Sequence, residues 1–306
     1  MSRPPFPHVV DNSLIAAFKA CPQKAYKEYF QHWKSKIPSI HLHAGAAFAH
    51  GLEHARVAFY EEGASEEVAI ARGVGALMRH WGDYPEDPDD PPKSFARMCG
   101  ALVYYFDTWR LPVDSAVPAM LPSGRRAVEF QFVEPIEEVC HPETGDPILY
   151  AGRTDMICSL ANGIFIEDDK TTSQLGPSWP KKWELRSQFS GYVWAAARAG
   201  LHVDGVLVRG VSILKTKYDH AQALTYRSQW EIQRWYHETV KTIRRMITAW
   251  ETGEWDYDLA DACDSYGGCQ FTQVCKAKNQ QEWLPLYFER RAWDPVTRKE
   301  TKVLTP

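Results

Sequence analysis

The sequence lacks any apolar run near the roughly 20 residues that a membrane-spanning helix requires. Its opening residues, MSRPPFPHVVDNSLIAAF, lack the apolar core of a secretory signal. Both absences lead to the expectation of a cytoplasmic chain with no membrane partner. There is no excess of positive charge either: 35 Lys and Arg stand against 39 Asp and Glu, a formal net charge of −4. That excludes a protein that coats nucleic acid through bulk charge, but not one with a local basic groove, because phosphate contacts need only a few well-placed cations. No G-x-x-x-x-G-K-[ST] nucleotide loop, internal repeat or low-complexity tract is present. The seven cysteines are odd in number, which argues against a disulfide framework in a cytosolic chain.

What is present divides along the chain. The first third reads as helical: residues 13–34 with Ser13 as N-cap and a break at Pro22, then 45–61, 65–81 and 93–109, with an acidic, proline-rich loop at 83–92. After Pro122 the pattern changes to strands at 126–134, 148–159 and 164–169, the last two joined at Ala161-Asn162-Gly163. Glu143-Thr-Gly-Asp146 is a turn signal between the first two. A helix over 184–199, a strand over 206–214 and a long helix over 228–252 follow. Strands and helices in this order suit an α/β sheet flanked by helices. The expected organisation is a mostly helical part (1–122), an α/β core (123–256), a cysteine segment (257–293) and a loosely ordered polar tail (294–306).

The chemistry sits in the strands. Gly152-Arg-Thr-Asp155 lies in one strand, and the next ends Glu167-Asp168-Asp169-Lys170. Side chains two apart on a strand share a face, so Asp168 and Lys170 project together, and Asp155 can face them from the paired strand. Glu167 and Asp169 are alternative acids whose parity points them away. Two converging carboxylates form a hard-oxygen site suited to Mg²⁺ or Mn²⁺. On the next helix, Gln188 and Tyr192 stand four apart and share a face. Lys181, Lys182, Arg186, Arg125, Arg126, Lys215 and Lys217 are candidates for tracking phosphates, and Trp179, Trp183 and Trp194 for stacking bases, although most of twelve tryptophans must be core.

Cys263, Cys269 and Cys275 form a compact group, and Cys21 precedes Pro22 in the first helix. Three clustered thiolates and one remote partner satisfy either a tetrahedral zinc or a 4Fe–4S cluster. Cys99 and Cys158 read as core residues.

The ordered run G-R-x-D, I-x-D-x-K-T-T and Q-x-x-x-Y resembles the motifs of RecB-type PD-(D/E)XK nucleases, in particular the iron–sulfur branch that includes CRISPR-adaptation exonucleases. The resemblance extends in patches over residues 13–276. It implies a restriction-endonuclease-like α/β core in which Asp155 and Asp168 bind metal, Lys170 is catalytic, and Gln188 and Tyr192 position the substrate strand. Glu129 matches a further acidic position. The family's helical histidine ligand has its best counterpart in His50, one place later than the pattern G-x-x-x-H predicts, with His54 a turn beyond. The one-plus-three cysteine arrangement favours a 4Fe–4S cluster on Cys21, Cys263, Cys269 and Cys275 over zinc. The implied activity is a metal-dependent DNA exonuclease acting on single strands or duplex ends in recombination, repair, phage DNA processing or spacer acquisition. Its implied partners are a recombinase, an annealing protein or a helicase. The alternative is a non-catalytic nucleic-acid-binding or assembly subunit that retains the fold.

Overall fold

The computed structural model describes residues 3–37, 39–85, 93–161, 163–259, 261–264 and 268–303. The Asn162 turn, most of the acidic loop (86–92) and part of the Tyr-Gly-Gly stretch (265–267) lie outside the described residues. In chain order the elements are β1 Val9–Asp11, α1 Asn12–Ala20, α2 Pro22–Ala25, a π-helical turn Tyr26–Phe30, β2 Trp33–Ser35, α3 Ile40–Tyr60, α4 Glu66–Trp81 and α5 Phe95–Thr108. Then come β3 Val117–Pro118, β4 Gln131–Cys140, β5 Pro147–Arg153, β6 Met156–Leu160, β7 Gly163–Thr172, a 3-10 turn Pro180–Trp183, α6 Ser187–Arg198, β8 Gly205–Ile213, β9 Tyr218–Tyr226 and α7 Gln229–Thr252. The last are α8 Asp261–Asp264, α9 Thr272–Lys276, α10 Gln280–Tyr287, β10 Phe288–Asp294 and β11 Lys299–Lys302. The result is a mixed α/β protein.

Two compact units share these elements: Met1–Pro38, Phe132–Gly152 and Gln233–Pro306 form one, Ser39–Gln131 and Arg153–Ile232 the other. The first holds two three-stranded sheets, β1-β5-β4 and β11-β10-β2. Its core is aromatic: Phe6 meets Phe30 at 5.7 Å and Trp250 at 5.8 Å, and Trp255 meets both Tyr26 and Phe30 at 4.7 Å between ring centroids.

The second unit holds a five-stranded mixed sheet, β3-β6-β7-β8-β9. β7 pairs antiparallel with β6 and parallel with β8, the crossover running through α6. α3, α4 and α5 bury Phe48, Leu52, Leu77, Met98, Leu102 and Tyr105 with Val211 and Ile213 of β8. α3 and α4 cross backbone to backbone, since a Cβ on Gly73 would stand 2.7 Å from the Gly51 carbonyl oxygen.

Several sequence expectations need correction. The single strand read over 148–159 is two, β5 and β6, in different sheets, with Thr154 and Asp155 in the break between them. The strand read over 126–134 is instead β4, which starts at Gln131. Glu129 sits at φ +53°, outside extended geometry, and residues before it make only isolated bridges. The helical reading of 13–34 holds as far as Phe30, with its break at Cys21–Pro22, but Trp33–Ser35 form β2. Its N-cap is Asp11, which accepts from the Leu14 N–H at 2.7 Å, in place of Ser13. The tail is not loose up to Lys302, because β11 pairs with β10.

Candidate active site

β7 is the central strand of its sheet, and its acidic end alternates between two faces. Glu167 and Asp169 point to one face, as their parity requires, and are met there by buried cations. Arg56 Nη1 donates to Asp169 Oδ2 at 2.8 Å, and its Nη2 to Glu167 Oε1 and, at 2.7 Å, to the Tyr105 hydroxyl. The Tyr105 hydroxyl in turn lies 2.8 Å from Asp169 Oδ1 and 3.1 Å from Glu167 Oε1, with one proton to donate between them. Arg209 grips Asp114 with two 2.6 Å bonds and stands 3.4 Å from Glu167. Arg56 and Arg209 are 3% and 1% exposed, so these charges are stable only as a set. Burial still pushes Glu167 up to about 7, although both arginines oppose it.

The opposite face gathers the predicted triad. Lys170 Nζ pairs with Asp168 Oδ2. The β6–β7 register sets Met156 across from Glu167, which carries Asp155 alongside Asp168. Asp155 Oδ2 accepts the Asp169 N–H at 2.9 Å, and its own backbone is fixed by the Glu129 N–H donating to the Asp155 carbonyl at 3.0 Å. Burial raises the pKa of Asp155, and the Asp169 charge adds to it. Burial also pushes Asp168 up to about 6, with the Asp155 charge adding and Lys170 opposing. For Lys170, burial works against the ammonium, but the Asp168 and Asp155 charges outweigh it and its pKa lies above the ordinary value. Lys170 pairs with one of the two carboxylates and feels the charge of the other, and the excess negative charge together with the hard-oxygen donors fits a divalent cation.

The other predicted residues also have defined neighbours. Gln188 donates its amide to the Tyr192 hydroxyl at 2.7 Å on α6. His50 Nδ1 lies 3.4 Å from Glu53 Oε2, and its ring packs on His54 and His80. Arg153 Nε lies 2.6 Å from Glu129 Oε2, and its Nη1 is 3.8 Å from Glu53. Lys181, Lys182, Arg186, Lys215 and Lys217 are exposed. Trp179 is 3% exposed and packs over Gly210, so it is core and not a stacking surface for bases. Sequence reasoning missed Arg56, Arg209 and Tyr105. The available signal was position: Arg56 falls four residues after Leu52 and eight after Phe48, on the buried face of α3.

A profile of the PD-(D/E)XK nuclease superfamily matches residues 13–276. The chain belongs to the PD-(D/E)XK nuclease superfamily. A solved structure titled "Putative exonuclease" from Eubacterium rectale is similar at 14% identity and a TM-score of 0.49, over 84% of this chain and 87% of that one. The crystal structure of SSO0001 is similar at 15% identity and a TM-score of 0.26, over 63% of this chain and 74% of that one. No curated protein matches the chain.

Cys21, Cys263, Cys269 and Cys275 all belong to the first unit. Cys21 links α1 to α2, its N–H bonded to Ala17 O at 2.9 Å. The Cys269 N–H donates to Cys263 O at 2.8 Å, and Cys275 lies in α9 beside the Phe271–Val274–Leu284–Phe288 cluster. Burial raises the pKa of Cys275, and the charges of Cys269, Cys21 and Cys263 add to it. Lys27, 3% exposed, feels Cys275, Cys21 and Cys269. Cys158 is buried core, as expected; Cys99 is half-buried and Cys140 exposed.

Proposed function

We propose that this chain is a Mg²⁺- or Mn²⁺-dependent deoxyribonuclease, an exonuclease of RecB type that acts on single-stranded or end-containing DNA. The observation that carries this reading is the meeting of Asp155, Asp168 and Lys170 towards the C-terminal end of β7 in a chain of this superfamily. Asp155 and Asp168 would hold the ion, with His50 of α3 as the further ligand that the resemblance implies. When bound, a divalent ion polarises the phosphoryl oxygen and lowers the pKa of a water nucleophile. Lys170, 30% exposed at its side chain, presents an ammonium to a phosphate oxygen or to the attacking water. The Asp169 N–H holds Asp155 in place, and Arg56 anchors Asp169 from behind. Gln188 and Tyr192 orient each other for contact with the substrate strand. The exposed Lys181, Lys182 and Arg186 offer phosphate contacts.

The reading includes a 4Fe–4S cluster on Cys21, Cys263, Cys269 and Cys275. The preference for this cluster over zinc rests on the one-plus-three spacing of the cysteines and the resemblance that carries it. Such a group would tie α1 and α2 to α9 within the first unit and oppose its unfolding. Roles in recombination, repair, phage DNA processing or spacer acquisition, beside a recombinase, annealing protein or helicase, follow from the same resemblance.

The test is degradation of labelled single- and double-stranded DNA with Mg²⁺ and Mn²⁺ in turn, wild type against Asp168→Ala. Metal-dependent cutting lost in the variant supports the nuclease. Equal, uncut traces with retained DNA binding support a non-catalytic subunit.

A further inference from the structure

We propose that β9 is a self-association edge, through which two copies of this chain pair antiparallel about a two-fold axis at Gln222. The contact joins the five-stranded sheet of one copy to that of the other. A sheet edge invites pairing with another chain unless it is short, charged or interrupted by proline. Among the described residues, every other edge strand carries such a device. β3 has two residues and ends at Pro118, while β1 and β2 have three each. β4 holds Pro135 among Glu134, Glu137 and Glu138, and β11 carries Lys299 and Lys302. β9 has none of these: it runs nine residues with no lysine, arginine or proline, in a register with β8 that no bulge interrupts.

The pairing with β8 fixes which groups this edge offers. The Leu214 N–H donates to Lys217 O and the Arg227 N–H to Asp204 O, so the odd-numbered residues of β9 form the bonded pairs with β8. Tyr218, His220, Gln222, Leu224 and Tyr226 therefore turn their N–H and C=O groups outward. Among the described residues these groups have no backbone partner. Side chains meet two of them, Asp219 Oδ1 the His220 N–H at 2.9 Å and Arg227 Nη1 the Tyr226 carbonyl at 2.8 Å. An axis at Gln222 sets outward groups against outward groups. It also makes the strand nearly palindromic, Tyr-x-x-Ala-Gln-Ala-x-x-Tyr. Tyr218 then meets Tyr226 of the second copy, His220 meets Leu224, and no like charges oppose each other within the strand. Beyond it, Lys217 reaches the end of the second copy where Arg227 is turned inward onto Ser190 and Thr225 and Ser228 holds Glu231, which brings opposite charges together. Leu224, Tyr226 and Trp230 are 42%, 62% and 62% exposed, apolar surface beside the edge that a second copy covers. An isologous contact of this kind closes as a dimer.

Sedimentation equilibrium of the full chain, without DNA, tests this contact on wild type, Gln222→Lys, Gln222→Glu and an equimolar mixture of the two variants. Gln222 is exposed, so neither substitution disturbs the core. Residue 222 faces its own copy across the axis, so each variant alone sets like charges together and the mixture sets opposite ones together. The expected result is a wild-type dimer whose dissociation constant rises at least about tenfold in each variant and recovers in the mixture as a heterodimer. A wild type that stays monomeric up to about 100 µM would overturn the proposal. So would a dimer equally tight in wild type and both variants, which would place the contact elsewhere. A dimer weakened in both variants and not regained on mixing would also overturn it, because residue 222 would not then face itself. No cleavage is read, so this outcome is independent of the nuclease reading.

Discussion

Asp155 Oδ2 accepts a hydrogen bond from the backbone N–H of Asp169 at 2.9 Å. This bond joins the break before β6 to the centre of β7, and so sets the first acid of the site against the second. Asp155→Asn keeps an acceptor for that N–H but removes the charge. Melting should shift by no more than about 1 kcal/mol equivalent, whereas metal-dependent cleavage should fall by at least about a hundredfold. Melting curves and single-turnover rates on the same preparation check both halves.

Arg56 holds Asp169 and Glu167 from the opposite face of β7. Arg56→Met leaves both carboxylates buried with reduced compensation, and should cost about 3–5 kcal/mol in urea unfolding. A loss below about 1 kcal/mol would mean that Arg209 and Tyr105 suffice without it.

The acids also set a pH dependence. Asp168 is raised to about 6 from an ordinary 3.8, and Glu167 to about 7 from 4.5. A raised carboxyl contributes stability that is complete below its ordinary pKa and lost as pH rises through the folded value. Metal-free protein should therefore weaken between about pH 4 and 8. Asp168→Asn should exceed wild type at pH 8 by about 1–3 kcal/mol, with the difference vanishing near pH 4. Denaturant titrations across that range, in EDTA, measure it. Because the ion requires ionised Asp168, Mg²⁺ affinity should decline as pH falls through about 6.

Cys275 sits against the Phe271–Phe288 cluster with three other thiols in electrostatic range. Wild type purified without oxygen should absorb near ~400 nm, and Cys275→Ala should lose that band and melt earlier. A colourless wild type containing stoichiometric zinc would contradict the cluster.

The alternation of Glu167 and Asp169 against Asp168 and Lys170 was legible because a strand offers only two faces, and β7 is a regular strand throughout. The break at Thr154–Asp155 was not. Apolar residues at Tyr150 and Ala151 are followed after four residues by Met156 and Ile157, and neither Gly152 nor the charged Arg153 and Asp155 after it marks a change of sheet. β4 was displaced because Glu129 adopts φ +53°, a conformation that its residue type does not announce. β10 and β11 were missed because their strands are rich in charge (Glu-Arg-Arg, Lys-Glu-Thr-Lys), a pattern that reads as solvated tail. Arg56 and Arg209 were invisible for a related reason: an arginine reads as surface until the buried acids that call for it are located.

The most direct measurement is cleavage of end-labelled DNA by wild type, Asp168→Ala and Lys170→Ala, with Mg²⁺ added after folding has been verified by circular dichroism. The account predicts metal-dependent product from wild type alone, with rates at least about a hundredfold lower in both variants. Product formed at wild-type rate by folded Asp168→Ala would contradict it.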